Sequence, residues 1–532
     1  MISAATVFFT KNESVKRLWD DMLGPGFIKV PRISRIYYNR KFFHYPIRLF
    51  NTLVNLGVVE SVLIVMSYIA SFVSPSAEEK TFEQWVSNRF GRRLYRTFFK
   101  TYTEKVWGIP CSSIQSDWAS QRIQGLSLKA AIVNALVGTT TSKTLIDEFD
   151  YPVLGPGMMW SAFKQGIENR GGTVLMACAV ERIRHMDGRV MSLDYCHSGE
   201  ALTRPIDCLI SSAPITTLTT LLDPPPPGRV LEAAGRLSYR SFLIVILILR
   251  EENLFPDQWI YVHSPEVNVG RIQNFKNWSP AMVPDPGTTS LGLEYFCTEG
   301  DSIWTMDDEN LAAMAARELE VLGLSSAPLV TGSYVVRQAN AYPVYDETYK
   351  ENVGIIREYL AGFHNLQTVG RSGMHRYNNM DHSMITGIMA AQNITGAMHN
   401  IWEVNEEETY LEDGKRDLLE SHLRRVFARL HKRAFAFATG ITAGLCVFLA
   451  TLFLVVKGGE PIGPNLSLLD QYFIGYSVTW TGSLVGAGYG FLTGFSAGWL
   501  LALLRNLLMI AHVNLLRTKA DRIHVRDFLD YF

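Results

Sequence analysis

The sequence predicts an α/β chain of two intertwined parts, followed by a two-helix transmembrane hairpin. Three observations carry that prediction. Helix-period and strand-period apolar patterns alternate between about residues 150 and 402, as a layered α/β fold requires. The stiff segment DPPPPG, Asp223 to Gly228, interrupts the alternation and marks the start of a second layer. Two uncharged stretches, Ala434 to Val456 and Tyr472 to Leu504, each exceed the roughly 20 apolar residues that cross a bilayer.

Taken in order, Asn51 to Ser74 is apolar but contains Glu60 and several small polar residues, which suits a buried or membrane-grazing helix better than a third span. Thr81 followed by Gln84 is a capping-box pattern opening a helix through TFEQWVSNRFGRRLYRTFFKTYTEKVWG. A helix is expected in MMWSAFKQGIENRGG, a strand in TVLMACAVERIRH, a turn at Asp187-Gly188, a strand in RVMSLDYCH and an apolar run in CLISSAP. Beyond the proline break, SFLIVILILR reads as a fully buried strand and WIYVHS as another. ENLAAMAARELEVLG is a helix, GIIREYLAGFHNLQTVGR ends in a strand running into a Gly-Arg turn, and HSMITGIMAAQNITGAMHNIW returns to helix. The acidic VNEEETYLEDGK then separates residues 1–415 from a membrane region, 416–532, with spans at 434–456 and about 476–504.

The string GAGYG within the second span does not have the GxGxxG spacing of a dinucleotide turn. Instead Gly482, Gly486, Gly490, Gly494 and Gly498 recur every fourth residue, which builds a groove on one helical face for a second helix of the same chain or of another copy. Arg424, Arg425, Arg429, Lys432 and Arg433 precede the first span, and Arg505, Arg517, Lys519, Arg522 and Arg526 follow the second. The Gly458 to Gln471 loop has only Glu460 and Asp470, so the positive-inside bias places both ends and the body of the protein in the cytoplasm.

The 50 basic and 51 acidic side chains balance, which argues against a nucleic-acid partner. The six cysteines have neither CxxC nor His-paired spacing, so they are expected to be reduced, mostly buried and without metal. The N-terminal residues show no basic region followed by a long apolar run, so no secretory signal is expected.

The runs FFTKN, RISRIYYNRKFFHYPI, TYTEKVWGIPCSSIQSDWASQRI and above all GRSGMHRYNNMDHSMITGIMAAQNI resemble the flavoprotein amine oxidase and protoporphyrinogen oxidase-like superfamily. Within it they look nearest to the branch related to UDP-galactopyranose mutase. The resemblance covers residues 6 to about 402 and implies a Rossmann-like FAD part, about 1–30, 150–228 and 355–402, interleaved with a mixed α+β substrate part, about 31–149 and 229–354. Gly370, Arg371, Tyr377, Met380 and Asp381 are similar to the segment with which these proteins close over the flavin. Val180 matches the strand that meets the adenine, or is a plain core valine. Arg271 matches the arginine that holds a substrate diphosphate and, with Tyr345 and Tyr377, is expected to wall the isoalloxazine.

Physical chemistry supports parts of this. A strand ending at a glycine lets a ligand approach the backbone, and a helix start presents N–H groups to an anionic or polar oxygen. Arg371 offers a fixed positive fork, or else forms a structural ion pair. Asp381 is a ligand-side carboxylate or an ordinary N-cap. His375 and His382, without a third ligand, are expected to be scaffold. Asp307-Asp308 is expected to be a solvated helix start.

Family members open with a strand, a glycine turn and a helix, whereas this sequence begins at the segment that follows, VFFTKN. Poor or absent FAD binding is the expectation for such a chain, which is either a shortened reading frame of an otherwise ordinary flavoenzyme or a relic that has lost its cofactor. The leading expectation is a membrane-anchored FAD-dependent oxidoreductase that transfers hydride from a small molecule to flavin, with Arg371 and Tyr377 orienting the partners. The alternatives are a mutase-like flavin-dependent isomerase of a nucleotide sugar, and a non-catalytic membrane protein.

Overall fold

A computed structural model describes residues 8, 10, 12–45, 52, 55–76, 79–116, 148–404, 431–459 and 462–529, with side chains omitted at 58 and beyond 507. Phe9 and Lys11 of FFTKN, the segment DWASQRI, the acidic stretch after residue 404 and the basic residues Arg424, Arg425 and Arg429 lie outside the described residues. Two compact units result, Met1–Asp413 and Gly414–Phe532.

The first unit opens with helix α1 (Glu13–Leu23), capped by the Asn12 side chain, which accepts from the Val15 N–H. Strands β1 (Phe27–Pro31), β2 (Ser34–Tyr38) and β3 (Lys41–His44) follow, then helices α2 (Val58–Val73) and α3 (Phe82–Phe90). The Thr81–Gln84 capping box is formed at the start of α3. The helical run is not continuous: it breaks at Gly91, φ +84°, then continues as a short turn at Arg92–Leu94, a π-helical segment at Tyr95–Lys100, and α4 (Thr101–Trp107). Gly91 is required there because a Cβ would stand 2.8 Å from the Tyr68 backbone nitrogen on α2.

Next come β4 (Glu148–Pro152), α5 (Gly157–Glu168), β5 (Cys178–Met186), β6 (Arg189–His197), β7 (Glu200–Pro205) and β8 (Leu209–Ser211). The β5–β6 turn at Asp187-Gly188 has positive φ at both residues, as a two-residue hairpin needs. Strand β5 starts at Cys178, later than its apolar pattern predicts. Residues Thr173 to Met176 have no strand neighbour among the described residues, and Leu175 and Met176 are exposed. Apolar content signals a buried strand only where a partner strand exists to pair with it.

The chain continues through α6 (Ile215–Leu221), β9 (Leu222–Asp223), α7 (Gly228–Arg236), β10 (Tyr239–Leu249), β11 (Trp259–Val262), β12 (Arg271–Asn274), β13 (Thr289–Cys297), α8 (Asp308–Val321), β14 (Val330–Pro343), α9 (Tyr349–Leu360), β15 (Leu366–Thr368) and α10 (Met380–Ile394). Seven strands form one mixed sheet in the order β14-β10-β13-β12-β11-β2-β3. Its second strand, β10, is the SFLIVILILR run, buried along most of its length with Ile248 exposed. One face packs Leu243, Val245, Leu247, Leu291 and Leu293 against Leu311, Ala315 and Leu319 of α8. The other packs Phe242 and Ile244 against α3, the π segment and Trp107. Parallel β8 and β15 pair separately, and β7-β6-β5-β9 form a third sheet. At the start of α8, Asp307 is the N-cap, accepting from the Asn310 N–H, while Asp308 pairs with Arg337 at 2.6 Å and is not merely solvated.

All six cysteines are free. Only Cys111 and Cys297 are buried, fewer than expected, because Cys178 and Cys196 lie on a half-exposed sheet and Cys208 and Cys446 are at the surface.

The second unit contains α11 (Lys432–Lys457) and α12 (Trp480–Leu529), of which Lys432–Lys457 and Trp480–Leu507 are long and apolar enough to cross a membrane. They pack through the glycine face. A Cβ on Gly490 would lie 3.0 Å from Gly444 Cα, and one on Gly494 2.6 Å from the Thr439 carbonyl oxygen. The Thr439 hydroxyl donates to the Gly494 carbonyl at 2.9 Å, and Thr451 and Tyr476 share a 2.7 Å hydrogen bond. The glycine face is therefore occupied by α11 of the same chain. Replacing Gly494→Leu forces the two helices apart, and overpacking of this kind costs about 1–3 kcal/mol. A lowered thermal midpoint in detergent is expected; an unchanged midpoint contradicts this packing.

Candidate active site

Strand register builds the site. Tyr261 on β11 stands opposite Arg271 on β12, Arg271 opposite Glu294 on β13, and Glu294 opposite Ile244 on β10. These side chains form one row across the sheet, on the face that carries α4. Arg271 grips Glu294 through Nε at 2.7 Å and a terminal nitrogen at 2.5 Å, and the Gln273 amide donates to the other carboxylate oxygen. Glu294 is fully buried and the Arg271 side chain is 15% exposed. Burial works against the Arg271 charge, but the adjacent carboxylate outweighs it and holds the guanidinium above its ordinary pKa.

Tyrosines surround the pair. Tyr102 of α4 meets Tyr261 edge-on at 5.5 Å and stacks on His263 at 4.7 Å. Burial raises the Tyr102 hydroxyl, against the Arg271 charge that would lower it, and pushes Tyr342 up to about 12. Both stay protonated hydrogen-bond groups. His263 is pushed down to about 3 by burial and by Lys105, while burial brings Lys105 down to about 8. The Lys105 ammonium donates to the Ser264 carbonyl at 2.6 Å.

The Gly370 to Asp381 loop closes over this row. Gly370 follows β15 at φ +80°, with its N–H on the Thr386 hydroxyl at 3.0 Å and its carbonyl accepting from the Asn378 amide at 3.1 Å. Arg371 donates through Nε to the Asn378 carbonyl at 2.8 Å, and its guanidinium carbon sits 4.7 Å over Tyr377 and 5.2 Å over Tyr342. Those two rings stack at 5.7 Å, and Trp107 flanks Tyr377 at 5.8 Å. Arg371 is thus held by a carbonyl and two π faces, and among the described residues it has no ion-pair partner.

Tyr345 is buried behind this wall. Its hydroxyl accepts the Tyr377 N–H at 2.8 Å, and its ring stacks on Tyr349 at 4.3 Å, so it supports Tyr377 from the rear. Helix α10 begins at Met380, with Asn379 as its cap; Asp381 is a buried carboxylate in the first turn and not the N-cap. The Met380 side chain packs with Trp19, Leu23 and Met159. His375 is buried and pushed down to about 4, a neutral scaffold residue. Val180 lies in the separate β7-β6-β5-β9 sheet, 39% exposed and opposite Tyr195.

Gly370, Arg371, Tyr377, Tyr345 and Arg271 therefore converge, while Val180 sits on another sheet. Sequence reasoning missed Tyr102, Tyr261, Tyr342, His263 and Glu294. Glu294 had a signal: a lone carboxylate in the apolar strand LGLEYFC must be paired if that strand is buried. Among the described residues, no group of three His, Cys, Asp or Glu side chains is placed to hold a metal.

The family model described as flavin containing amine oxidoreductase matches residues 77–395. The chain belongs to this family. Among solved structures, a reduced UDP-galactopyranose mutase is similar over 77% of this chain and 88% of its own, with a TM-score of 0.65 and 18% identity. A protein described as a protoporphyrinogen oxidase from Exiguobacterium sp. 255-15 is similar over 74% of this chain and 87% of its own, with a TM-score of 0.55 and 14% identity. At these identities the likeness establishes the fold.

A flavin fits the closing loop of this amine oxidoreductase family member. A Cβ on Gly370 would meet Ser212 Cβ at 4.0 Å, an ordinary van der Waals contact, so no described atom crowds the loop at its first residue. The first-turn N–H of Met380 is unclaimed by any described residue, ready for a ligand oxygen at a helix start.

Two outcomes follow. Arg271→Met strands a buried carboxylate and is expected to cost about 3–5 kcal/mol, whereas the double change Arg271→Met with Glu294→Leu recovers most of it. Chemical denaturation of the two variants measures this, and equal losses contradict it. His375 and His263 are both neutral in the fold with pKa values below the ordinary one, so the unfolded chain binds more protons as pH falls below about 6.5. Stability is complete above about pH 6.5 and falls toward about pH 4, by up to ~1.4 kcal/mol per pH unit for each histidine. His375→Asn is expected to flatten the thermal midpoint profile in that window.

Proposed function

We propose that the chain is a membrane-anchored, FAD-dependent oxidoreductase acting by hydride transfer on a small organic molecule. The observation that carries this reading is the stack of Tyr342 on Tyr377 under Arg371, in which Tyr377 and Arg371 belong to the same loop as Gly370. Gly370 and the start of α10 would hold the cofactor, which supplies a two-electron acceptor when bound. Arg371 places a fixed positive charge beside it, and Trp107, Tyr342 and Tyr377 form an aromatic wall that excludes water and fixes the substrate plane. Tyr102 and Tyr342 offer protonated hydroxyls, and His263 stays neutral, so the pocket positions a substrate by hydrogen bonding without adding charge.

The isomerase reading, in which Arg271 holds a diphosphate, is less well supported. The Arg271 charge is already matched by Glu294 at 2.5 Å, leaving no net positive charge for a second anion. An uncharged substrate suits that row better. The C-terminal pair α11 and α12 supports membrane anchoring by length and composition, and the basic residues flanking it favour a cytoplasmic catalytic unit. The balanced charge supports no nucleic-acid partner.

Full-length protein purified with added FAD tests the reading. A bound flavin spectrum, with FAD identified by mass after denaturation, is expected. Arg371→Met is expected to slow substrate-dependent flavin reduction on the order of a hundredfold, as removal of one charged stabiliser does. Persistent absence of flavin in folded protein overturns the proposal, and turnover without consumption of any electron acceptor favours the isomerase.

A further inference from the structure

Helix α2 has its polarity inside out. Its protein-facing side presents Glu60, Ser61, Ser67 and Ser71 around a single buried aliphatic, Ile64, whereas the outward side carries Val59, Val62, Met66, Ile69, Phe72 and Val73. Met66 is 61% exposed, Phe72 71% and Val73 76%. The arrangement is firmly built. Arg93 forks onto both Glu60 oxygens at 2.6 and 2.7 Å, its N–H donates to the Ser67 hydroxyl at 3.0 Å, and Gly91 allows backbone contact with Tyr68. A surface helix in water turns its apolar stripe inward, and large contiguous apolar patches mark an interaction surface.

Length excludes one explanation. Sixteen residues rise about 24 Å, short of the ~30 Å hydrocarbon core, so α2 cannot span. Charge points to the occupant. A cleft of about 780 Å³ borders the helix, lined by Lys41, Arg92, Arg93, Arg96 and Asn55 among others. Arg93 is committed to Glu60, but Arg92 and Arg96 have no carboxylate partner among the described residues. An apolar ridge beside an uncompensated basic cleft is complementary to a leaflet that offers acyl chains and phosphate at adjoining depths.

We propose that α2 lies in the plane of an anionic phospholipid leaflet, its Val59–Val73 ridge in the acyl boundary and the Arg92–Arg96 cleft on a lipid phosphate. This contact is separate from the C-terminal hairpin and does not depend on that hairpin spanning. It would hold the sheet that carries the catalytic row against the membrane surface.

The test uses the full chain with p-benzoylphenylalanine at Met66, reconstituted into phosphatidylcholine vesicles with or without phosphatidylserine, irradiated and mapped by mass spectrometry. Lipid adducts at Met66 are expected, increased by phosphatidylserine. Combined Arg92→Glu and Arg96→Glu should cut them roughly fivefold or more, from about 1 kcal/mol per basic residue near the surface. A control probe at Val321 on α8, which packs on the opposite sheet face, should give few. Cross-links from Met66 to residues 117–147, to the α11–α12 hairpin or to a second copy overturn the proposal, as do lipid adducts equal at Met66 and Val321 or indifferent to phosphatidylserine. A separate probe at Leu449 on α11 reports whether the hairpin is in the bilayer, so the two readings fail independently.

Discussion

A buried guanidinium and carboxylate, joined across neighbouring strands, fix the centre of the seven-stranded sheet. Arg271 and Glu294 cannot leave each other without stranding a charge in a dry sheet. That constraint sets the register of β12 against β13 and, through Tyr261, of β11 as well. The tyrosines arrayed around the pair then have one orientation available to them. The wall formed by Tyr342, Tyr377 and Arg371 stands on this platform, and sets one positive charge and protonated tyrosines beside a charge-matched Arg271–Glu294 pair.

The closing loop adds a second constraint by spending its backbone groups internally. Thr386 and Asn378 hold Gly370, Asn378 holds Arg371, and Tyr345 holds the Tyr377 N–H. Tyr377 is thereby positioned from behind by the buried Tyr345.

Much of this was legible in the sequence, for identifiable reasons. The Gly370 to Asp381 segment is contiguous, so its pattern survives as a string. The hairpin was legible because span length and a four-residue glycine repeat are local properties. Tyr102, Tyr261, Tyr342 and Glu294 were not, since they come from four elements brought together only by strand register. The TVLM segment misled because apolar content does not reveal whether a partner strand is present. Helix α2 was recognised as apolar, but only the packing of Glu60 on Arg93 shows that its greasy side faces outward.

The central claim is that Gly370 and the start of α10 would hold FAD beside the Tyr342–Tyr377 stack. Photolabelling of the full-length protein with 8-azido-FAD, followed by peptide mapping, tests it most directly. Adducts concentrated in the peptides containing Tyr342 and residues 370–381, and suppressed by excess FAD, are the predicted result. Labelling confined to other regions, or insensitive to FAD, contradicts it.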